Sequence, residues 1–364
     1  MKVAFVHDWL TAFGGAERVL LKLHTIFPEA PIYTLVYDEK TMGKFFPNIK
    51  IIPSYLQKIP GVIKHYRNLL PLMPTAIEQF DLSNYDLIIS SSWACAKGIN
   101  VNSNTTHICY CHTPMRYAWD LYNEYNNGKN KVKKLFIANR INRIRMWDRL
   151  SADRVDCFIA NSNNVAKRIE KHYRRESEIV YPFVEKEFYL EKLNNKPKEY
   201  YLTVARLIAY KKIDIIIEAF NKLGIELHVV GSGPDKKKLK KIANKNIVFL
   251  ENLSEKELRN EYIKAKAFVF AAQEDFGMVM AEAQACGVPV IAYKKGGANE
   301  IVIENQTGYL YKNQTKEDII KTIEKFENNV NKFNREEIRK TAIRFHEDEF
   351  MKKIKEIINS QMNG

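Results

Sequence analysis

The stretch 266–292 constrains the fold of this chain more than any other part of the sequence. An apolar run of strand length, 267–271, leads through a short polar segment into a run of good helix formers, 277–286. Gly287 ends this predicted helix, and 288–292 is a second apolar run of strand length. A strand, a helix and a strand in this order predict a βαβ unit of a parallel sheet. We therefore expect a ligand site at the carboxyl ends of the strands.

Two carboxylates flank the start of this predicted helix. Glu274 lies at the exit of the first strand, and Glu282 lies one or two turns into the helix. The amides of residues 276–278 fall between them at the helix N-terminus, where partial positive charge favours a phosphate. Carboxylates repel a phosphate but accept hydrogen bonds from hydroxyl groups, so the pair suits a ribose and a sugar. Alternatively, Glu274 only complements the helix dipole and Glu282 is a solvated residue. However, the small, apolar neighbours of Glu282 predict a buried helix.

The pattern Glu274-x7-Glu282, followed by Ala-x-Ala-Cys-Gly-Val-Pro-Val, resembles the donor-site signature of the retaining glycosyltransferases of family four. The resemblance implies the GT-B fold, an α/β architecture of two Rossmann-like parallel-sheet domains facing a central cleft. It also implies that the first Glu contacts the transferred sugar and that the second binds the ribose of the nucleotide. Four residues at the start of the helix are expected to bind the donor as well: Phe276, Gly277, Met278 and Val279.

The length of 364 residues suits two domains rather than one α/β core. A charged segment rich in Asn and Lys, which ends near residue 199, is the predicted hinge. We expect an N-terminal, acceptor-side domain over 1–183 and a nucleotide-sugar-binding domain over 184–345. As the resemblance implies, the last helix, 346–364, is expected to cross back to the first domain.

Composition indicates a globular protein, with 46% hydrophobic and 27% charged residues. The sequence shows no signal peptide and no apolar span of about 18 residues, so we expect a cytoplasmic location. Five cysteines show no spacing typical of a disulfide framework. Cys109-x-Cys111-His112 crowds three potential zinc ligands together without a second pair, so no metal site is expected.

A glycine pair follows the first predicted strand, 3–6. Gly14 and Gly15 lie in the loop that leads into the next helix. Such a pair lets backbone amides approach a phosphate, but it is also an ordinary tight turn. Members of family four carry a similar Gly-Gly-x-Glu loop facing the donor diphosphate, so the resemblance assigns both glycines to the donor site. The departure from Gly-x-Gly-x-x-Gly argues against a dinucleotide-dependent enzyme.

A histidine directly follows the predicted strand 106–111. His112 lies where open α/β sheets bind ligands, whereas His107 lies inside the strand. A single His of this kind is usually structural. In family four, however, a His at the matching position faces the donor sugar, and His-Thr-Pro-Met-Arg-Tyr is similar to the motif of bacterial enzymes that build surface polysaccharides, several of them mannosyltransferases. The resemblance thus implies a catalytic His112 and acceptor-side positions for Arg116 and Tyr117.

The window 129–154 holds nine basic and two acidic residues, and its charge of +7 is half of the net +14. Interleaved apolar residues predict a basic, partly amphipathic helix or helix pair, as expected at an anionic membrane surface. A solvated helix face is the alternative. Nucleic acid would also be attracted, but no nucleic-acid-binding motif occurs, so we do not expect it as a partner. The residues expected to contact the membrane are Lys131, Lys133, Lys134 and Arg140.

Two cations follow the first predicted strand of the second domain, 200–204. Arg206 and Lys211 are five residues apart, which suits a diphosphate, since Arg offers a planar fork and Lys a point charge. Family four has Arg-x4-Lys in this place, usually followed by Gly. Here Lys212 stands where the Gly is usual, and we match Lys211 to the family's Lys. Gly231, in the glycine turn after the next predicted strand, is also expected to contact the donor.

These residues predict a glycosyl transfer. Breaking a sugar to phosphate bond needs an oxocarbenium-like sugar and stabilisation of the departing diphosphate, which preorganised cations and amides provide. No Asp-x-Asp pair occurs in the sequence, so neither a metal nor a cofactor is expected. The family is thought to retain configuration by attack on the face from which the diphosphate departs. The residues expected to take part in catalysis are His112, Arg206, Lys211 and Glu274.

We therefore expect a retaining hexosyltransferase that moves mannose from GDP-mannose to a lipid-linked saccharide in bacterial surface polysaccharide synthesis. It would act in the cytoplasm, attached peripherally to the inner face of the cell membrane. A UDP-sugar-dependent enzyme of the same family stays open. A phosphorylase or a nucleotide-sugar epimerase is disfavoured because the Glu-x7-Glu and His-Thr-Pro motifs coincide. The alternative from another class is a non-catalytic basic membrane-binding protein. It would need only the window 129–154 and not the donor-site residues.

Overall fold

The computed structural model describes residues 1–123, 130–190, 193 and 200–363. Within it the chain forms two compact units. The first comprises residues 1–181 and 351–364, and the second comprises residues 182–350. Each unit is built on one parallel sheet.

The sheet of the first unit has seven parallel strands in the order β3-β2-β1-β4-β5-β6-β7. They are β1 (Val3–His7), β2 (Ile32–Thr34), β3 (Ile51–Pro53), β4 (Leu87–Ser92), β5 (Thr106–Cys111), β6 (Cys157–Ala160) and β7 (Glu178–Ile179). β1 and β4 are buried along their whole length, as expected for strands of a parallel sheet covered on both faces. The strand order reverses between β1 and β4, which is where ligands bind in open α/β sheets.

Six α-helices accompany this sheet in the described part of the first 181 residues: α1 (Gly15–His24), α2 (Glu39–Met42), α3 (Val62–His65), α4 (Met73–Glu78), α5 (Lys131–Ser151) and α6 (Asn163–Tyr173). Side-chain caps fix where the longer ones begin. Asn130 accepts a hydrogen bond from the amide of Lys133 at the start of α5, and Ser162 accepts one from Val165 at the start of α6. The described part of the window, residues 130–154, thus forms one long helix followed by a short 3-10 turn, not a helix pair.

The sheet of the second unit has six parallel strands in the order β10-β9-β8-β11-β12-β13. They are β8 (Tyr201–Val204), β9 (Leu227–Val230), β10 (Ile247–Leu250), β11 (Ala267–Phe270), β12 (Val290–Tyr293) and β13 (Gly308–Tyr311). The accompanying helices are α7 (Glu187–Leu190), α8 (Ile213–Leu223), α9 (Lys236–Ile242), α10 (Glu255–Lys264), α11 (Met278–Ala285), α12 (Ala298–Ile301), α13 (Lys316–Glu327) and α14 (Arg335–Ala342). The last helix, α15 (Glu347–Asn363), begins in the second unit, and its residues from Met351 onward belong to the first.

Short 3-10 helices complete the connections of both units: Gly43–Phe45, Tyr55–Lys58, Tyr66–Leu72, Ala96–Gly98, Ala152–Arg154, Ala209–Lys211, Val330–Lys332 and Ile343–Phe345. None of the described helices is long and apolar enough to cross a membrane. The α/β architecture with two parallel sheets, predicted from the sequence, is confirmed.

The predicted βαβ unit at 266–292 is β11, α11 and β12. Its helix ends as expected near Gly287, whose φ of +70° is the left-handed conformation that glycine adopts most readily. The second strand begins at Val290, two residues later than predicted. The reason is that Val288 donates its amide hydrogen bond to Ala283 at the end of the helix, and Pro289 has no amide hydrogen to donate.

Candidate active site

The carboxyl edge of the second sheet collects most of the predicted donor-binding residues. β9, β8, β11 and β12 are neighbours in the sheet and run parallel, so the loops that follow them lie side by side. Gly231 follows β9, Arg206 and Lys211 follow β8, and Glu274 follows β11. The strand order reverses between β8 and β11, because β9 and β10 lie on one side of β8 and the later strands lie on the other. This point is where an open α/β sheet binds its ligand.

Lys211 and Glu274 meet at this reversal point. The ammonium of Lys211 donates a hydrogen bond to Oε1 of Glu274 and lies 5.1 Å from the ring centre of Tyr210. Burial lowers the pKa of Lys211, but the charge of Glu274 opposes this effect and, with Tyr210, raises the pKa above its usual value. The structure therefore holds a charged ammonium beside a carboxylate at the edge where the donor diphosphate is predicted to bind.

The backbone decides which of two adjacent lysines faces Glu274. Ala209–Lys211 is a 3-10 turn, and Lys212 follows it with a φ of +56° before α8 begins. This left-handed conformation favours glycine, which is the residue that the family usually has after its Lys. Lys211, the lysine matched from the sequence, is the one whose side chain contacts Glu274.

Gly231 allows the loop that carries Arg206 to lie close to the neighbouring loop. Gly231 has a φ of +137°, and a Cβ atom there would lie 2.0 Å from the carbonyl oxygen of Ala205. The amide of Leu207 donates to the carbonyl of Ser232 at 2.8 Å. Only glycine at 231 permits this approach, so its direct effect is to position the loop of Arg206. Arg206 itself is exposed.

Two adjacent glycines, Gly296 and Gly297, contact the loop that carries Glu274. The amide of Gly297 donates to the carbonyl of Glu274 at 3.0 Å, and a Cβ atom on Gly296 would lie 2.0 Å from the same oxygen. A Cβ atom on Gly297 would lie 2.0 Å from the carbonyl oxygen of Phe276. These contacts fix the entry into α11, and the adjacent glycines in the sequence were the signal that could have revealed them.

The N-terminus of α11 lies directly after Glu274. Gly277 precedes the helix with a φ of +98°, a conformation that disfavours any other residue. The first amides of the helix, on Met278 and Val279, have no intrahelical acceptor and carry the positive end of the helix dipole. Phe276 is buried, and its ring packs against Phe345 at a centroid distance of 5.4 Å. The segment 276–279 thus has the geometry of an anion site.

Glu282 is only 5% exposed, which excludes the alternative of a solvated helix residue. Its Oε2 accepts a hydrogen bond from the hydroxyl of Tyr262 at 3.0 Å, and Tyr262 lies fully buried on α10. A buried carboxylate requires hydrogen-bond donors, and Tyr262 supplies one of them. The structure therefore gives Glu282 a protein partner that the sequence did not indicate.

His112, in the first unit, lies at the carboxyl end of β5 and is half-buried. Its Nε2 lies 2.8 Å from Oγ of Ser91, and its carbonyl accepts a hydrogen bond from Asn161 at 2.9 Å. Burial, with a smaller contribution from His7 in the same direction, lowers the pKa of His112 to about 3. The imidazole is therefore neutral at physiological pH and can act as a hydrogen-bond donor at one nitrogen and an acceptor at the other.

The segment after His112 is held by side chains from α6. Arg168 forms a hydrogen bond with the hydroxyl of Thr113 and an ion pair with Asp120. Within this segment, the carbonyl of Arg116 accepts the amide of Leu121 at 2.8 Å, and Tyr117 packs against the core of the unit. The acceptor-side role of Arg116 and Tyr117 stays a prediction.

The predicted diphosphate loop of the first unit contains Gly14 and Gly15. Gly14 is the N-cap of α1 in an extended conformation, and Gly15 is the first residue of the helix. A Cβ atom on Gly14 would lie 3.3 Å from Oε2 of Glu17, so the glycine leaves room for this carboxylate. Glu17 is buried, and its Oε1 lies 3.6 Å from Nε2 of His7.

The basic helix α5 has one face buried in its unit and an exposed N-terminal half. Ile141 and Ile144 are buried, whereas Lys133, Lys134 and Arg140 are exposed. Three large apolar residues in the same half are exposed as well: Val132 by 79%, Leu135 by 75% and Phe136 by 57%. The guanidinium of Arg140 lies 4.0 Å from the ring centre of Phe136. Of the predicted membrane contacts, the side chain of Lys131 lies outside the described residues.

The described part of the chain contains no group of three or more His, Cys, Asp or Glu side chains that could hold a metal ion. The five cysteines are free thiols and all are buried. The independence of the reaction from metal stays a prediction.

Two family models match the sequence over adjacent segments. The model of glycosyltransferase family 4 matches residues 13–188, and that of glycosyl transferases group 1 matches residues 185–345. The chain belongs to glycosyltransferase family four. The family and the enzyme class predicted from the two Glu residues and the His-Thr-Pro motif are confirmed.

Relatives of this glycosyltransferase include enzymes that transfer mannose. An uncharacterised glycosyltransferase of Methanocaldococcus jannaschii is 30% identical over 196 residues, 51% of this chain and 52% of the relative. The GDP-mannose-dependent alpha-(1-6)-phosphatidylinositol monomannoside mannosyltransferase of Mycolicibacterium smegmatis is 32% identical over 123 residues, 29% of this chain and 32% of the relative. Alpha-1,3/1,6-mannosyltransferase ALG2 of Dictyostelium discoideum is 22% identical over 375 residues, 85% of this chain and 86% of the relative. The matches thus span about half of the first relative and a third of the second.

The glycosyltransferase also resembles solved structures over its whole length. HepE of Anabaena in complex with UDP superposes with a TM-score of 0.74, covering 99% of this chain and 100% of that chain at 18% identity. At this identity the likeness shows the fold alone, which is GT-B. The predicted fold class is therefore confirmed.

Several residues that shape the site of this glycosyltransferase have no signal in the sequence. Tyr262, Ser91 and Arg168 contact Glu282, His112 and the segment after His112, respectively. Each lies on a helix or strand whose pattern indicates ordinary packing, so only the contact itself reveals its role.

Proposed function

We propose that the chain is a retaining, metal-independent hexosyltransferase that moves mannose from GDP-mannose to a lipid-linked saccharide in bacterial surface polysaccharide synthesis. The observation that carries the donor half of this proposal is the contact of Lys211 with Glu274 at the reversal point of the second sheet, directly before the N-terminus of α11. A cation and the amide hydrogens at the start of α11, which suit phosphates, lie there together with a carboxylate, which suits hydroxyl groups.

Each donor-binding residue has a chemical role in this proposal. Arg206, Lys211 and the amides of 276–279 stabilise the negative charge that develops on the departing diphosphate. Glu274 accepts a hydrogen bond from a hydroxyl of the sugar, and Glu282 accepts one from the ribose. The bond from the anomeric carbon to the phosphate oxygen breaks, and the acceptor oxygen bonds to that carbon on the same face. The proton of the acceptor hydroxyl leaves with the diphosphate.

The assignment of the donor rests on the relatives. Both named mannosyltransferases support mannose, and the printed name of the Mycolicibacterium smegmatis enzyme includes dependence on GDP-mannose. HepE, with which the chain shares its fold, binds UDP, and this observation favours a UDP-sugar as the second candidate donor.

The acceptor half of the proposal rests on α5. Exposed apolar side chains are costly in water, and here Val132, Leu135 and Phe136 flank Lys133 and Lys134 on the same half-helix. This arrangement suits an anionic membrane surface, into which the apolar residues insert while the basic ones contact lipid phosphates. We propose that this helix attaches the enzyme to the inner face of the cell membrane, where a lipid-linked acceptor would be within reach.

The donor can be tested by thermal unfolding with GDP, UDP and ADP at equal concentrations. A ligand that binds only the folded state raises the melting temperature by an amount that depends on its concentration relative to its Kd. We expect GDP to give the largest rise, and the Arg206→Ala variant, as a matched control, to lose most of it. A larger rise with UDP would overturn the choice of guanosine, and no rise with any of the three would overturn the donor site.

A further inference from the structure

Four side chains of the first unit form a continuous series of contacts that ends at His112. Oε1 of Glu17 lies 3.6 Å from Nε2 of His7, and Nδ1 of His7 lies 3.0 Å from Oγ of Ser91. The same Oγ lies 2.8 Å from Nε2 of His112. His7 and Ser91 are fully buried, and Glu17 is nearly so. These side-chain contacts link the Gly-Gly-x-Glu motif to the His-Thr-Pro motif, which are almost a hundred residues apart in the sequence.

The register of the first sheet brings these groups together. His7 is the direct neighbour of Ser91 between β1 and β4, and Ser92 is the direct neighbour of Cys111 between β4 and β5. The ring of Trp93 packs edge-on against His7 at 4.8 Å and lies 5.8 Å from His112. The two imidazoles are thus held on either side of one hydroxyl group.

Glu17 decides which nitrogen of His7 carries the proton. Oε1 of Glu17 lies 3.6 Å from Nε2 of His7, so the carboxyl group faces this nitrogen, whereas Nδ1 faces Ser91. A neutral imidazole has one N–H group and one lone pair. An N–H group pointing towards the carboxylate is attracted, whereas a lone pair would be repelled. His7 therefore has its proton on Nε2 and a lone pair on Nδ1.

The hydroxyl group of Ser91 couples the tautomer of His7 to the tautomer of His112. A serine hydroxyl has one hydrogen and two lone pairs. Because Nδ1 of His7 is an acceptor, Ser91 donates its hydrogen to His7 and must accept one from Nε2 of His112. The second nitrogen of His112, Nδ1, then carries a lone pair.

We infer that Glu17, His7 and Ser91 are positioning residues that fix His112 as the tautomer with its proton on Nε2, so that Nδ1 accepts a hydrogen bond from a hydroxyl group of the hexose. The last step rests on the proposed function. Glu17 therefore influences the tautomer of His112. It does not contact the donor diphosphate that its loop is predicted to face.

Nuclear magnetic resonance of the whole chain with 15N-labelled histidine tests this inference. Two-bond proton–nitrogen spectra distinguish the two tautomers, and the His112→Gln variant identifies the signals of His112 among the eight histidines. We expect the Nε2-protonated pattern in the wild type, conversion to a tautomer mixture in Ser91→Ala and Glu17→Gln, and the wild-type pattern in Ser91→Thr. A wild-type His112 protonated on Nδ1, or a Ser91→Ala spectrum with the wild-type pattern, would overturn the inference.

The chain offers a matched control on the adjacent residue. Ser90 Oγ lies 2.8 Å from Nε2 of His107, which is the same kind of buried contact one position away but outside the site. Ser90→Ala should leave the signals of His112 unchanged. With GDP-mannose or another accepted donor, Ser91→Ala should lower kcat about tenfold with KM little changed, which corresponds to one hydrogen bond in the transition state. Unchanged kcat despite a changed tautomer would overturn the sugar contact, whereas absence of transfer by the wild type with any donor would overturn the proposed function and not the tautomer.

Discussion

Lys211 on the loop after β8 donates a hydrogen bond to Glu274 on the loop after β11, across the point where the strand order of the second sheet reverses. Their neighbours Tyr210 and Phe270 surround the ammonium with aromatic rings. The contact places a permanent cation beside a hydroxyl acceptor before any diphosphate binds, and such preorganisation is what makes electrostatic stabilisation effective in catalysis.

Removing either donor cation should slow turnover. We expect Arg206→Ala and Lys211→Ala each to lower kcat by roughly a hundredfold or more, because the departing diphosphate loses a preorganised positive charge. Lys212→Gly is the matched control: it removes an adjacent charge at a residue with a φ of +56°, which glycine adopts without strain. Steady-state kinetics on folded variants measure the effect. Near wild-type rates in both alanine variants, or an equal loss in Lys212→Gly, would contradict the assignment.

The two carboxylates should have separable roles. We expect Glu282→Gln to weaken binding of the free nucleoside diphosphate by about 1 to 3 kcal/mol, the range for a buried hydrogen-bonding group that loses its partner. Glu274→Gln should spare nucleotide binding and lower turnover. Titration calorimetry measures the first effect and kinetics the second. Tyr262→Phe is a useful control, because it removes one hydrogen bond from the protein to Glu282 and leaves the side chain of Glu282 unchanged. Equal nucleotide affinities of wild type and Glu282→Gln would refute this division.

Turnover should persist in EDTA, because Arg206, Lys211 and the amides at the start of α11 are proposed to supply the charge stabilisation that a metal ion supplies elsewhere. The measurement is the rate of hexose transfer before and after dialysis against the chelator. Loss of activity that magnesium or manganese restores would show that the metal-free mechanism is wrong.

Membrane binding should depend on the exposed half of α5. Replacing Lys133, Lys134 and Arg140 with Glu should abolish sedimentation with phosphatidylglycerol vesicles, since each basic residue near such a surface contributes about 1 kcal/mol. Wild-type binding should weaken as salt rises, because the Debye length is only about 10 Å at 0.1 M.

The control for this experiment lies in the second unit. Lys237, Lys238 and Lys241 on α9 are exposed too, and their replacement by Glu changes the net charge by the same amount. We expect that variant to keep sedimenting, because α9 lacks the exposed apolar residues of α5 among those described. Binding of the wild type to neutral vesicles as strongly as to anionic ones, or equal losses in the two variants, would argue for a merely solvated helix face.

Local patterns in the sequence determined the elements that form the site. The βαβ unit around Glu274 and the position of His112 after β5 follow from hydrophobic runs and helix stop signals, which act over a few residues. The Arg-x4-Lys spacing likewise indicated Arg206 and Lys211, and the motif residues indicated the family. These signals are local, and so they survive without knowledge of the tertiary structure.

The tertiary structure alone decided which side chains meet. His7 faces Ser91 because β1 and β4 pair in one particular register, and a shift of one residue would present the opposite face of the strand. Lys211 faces Glu274, and Glu282 meets Tyr262, because of the order in which strands and helices pack. The periodicity of a sequence specifies which residues are buried, but strand order and register, which join segments far apart in the chain, determine their partners.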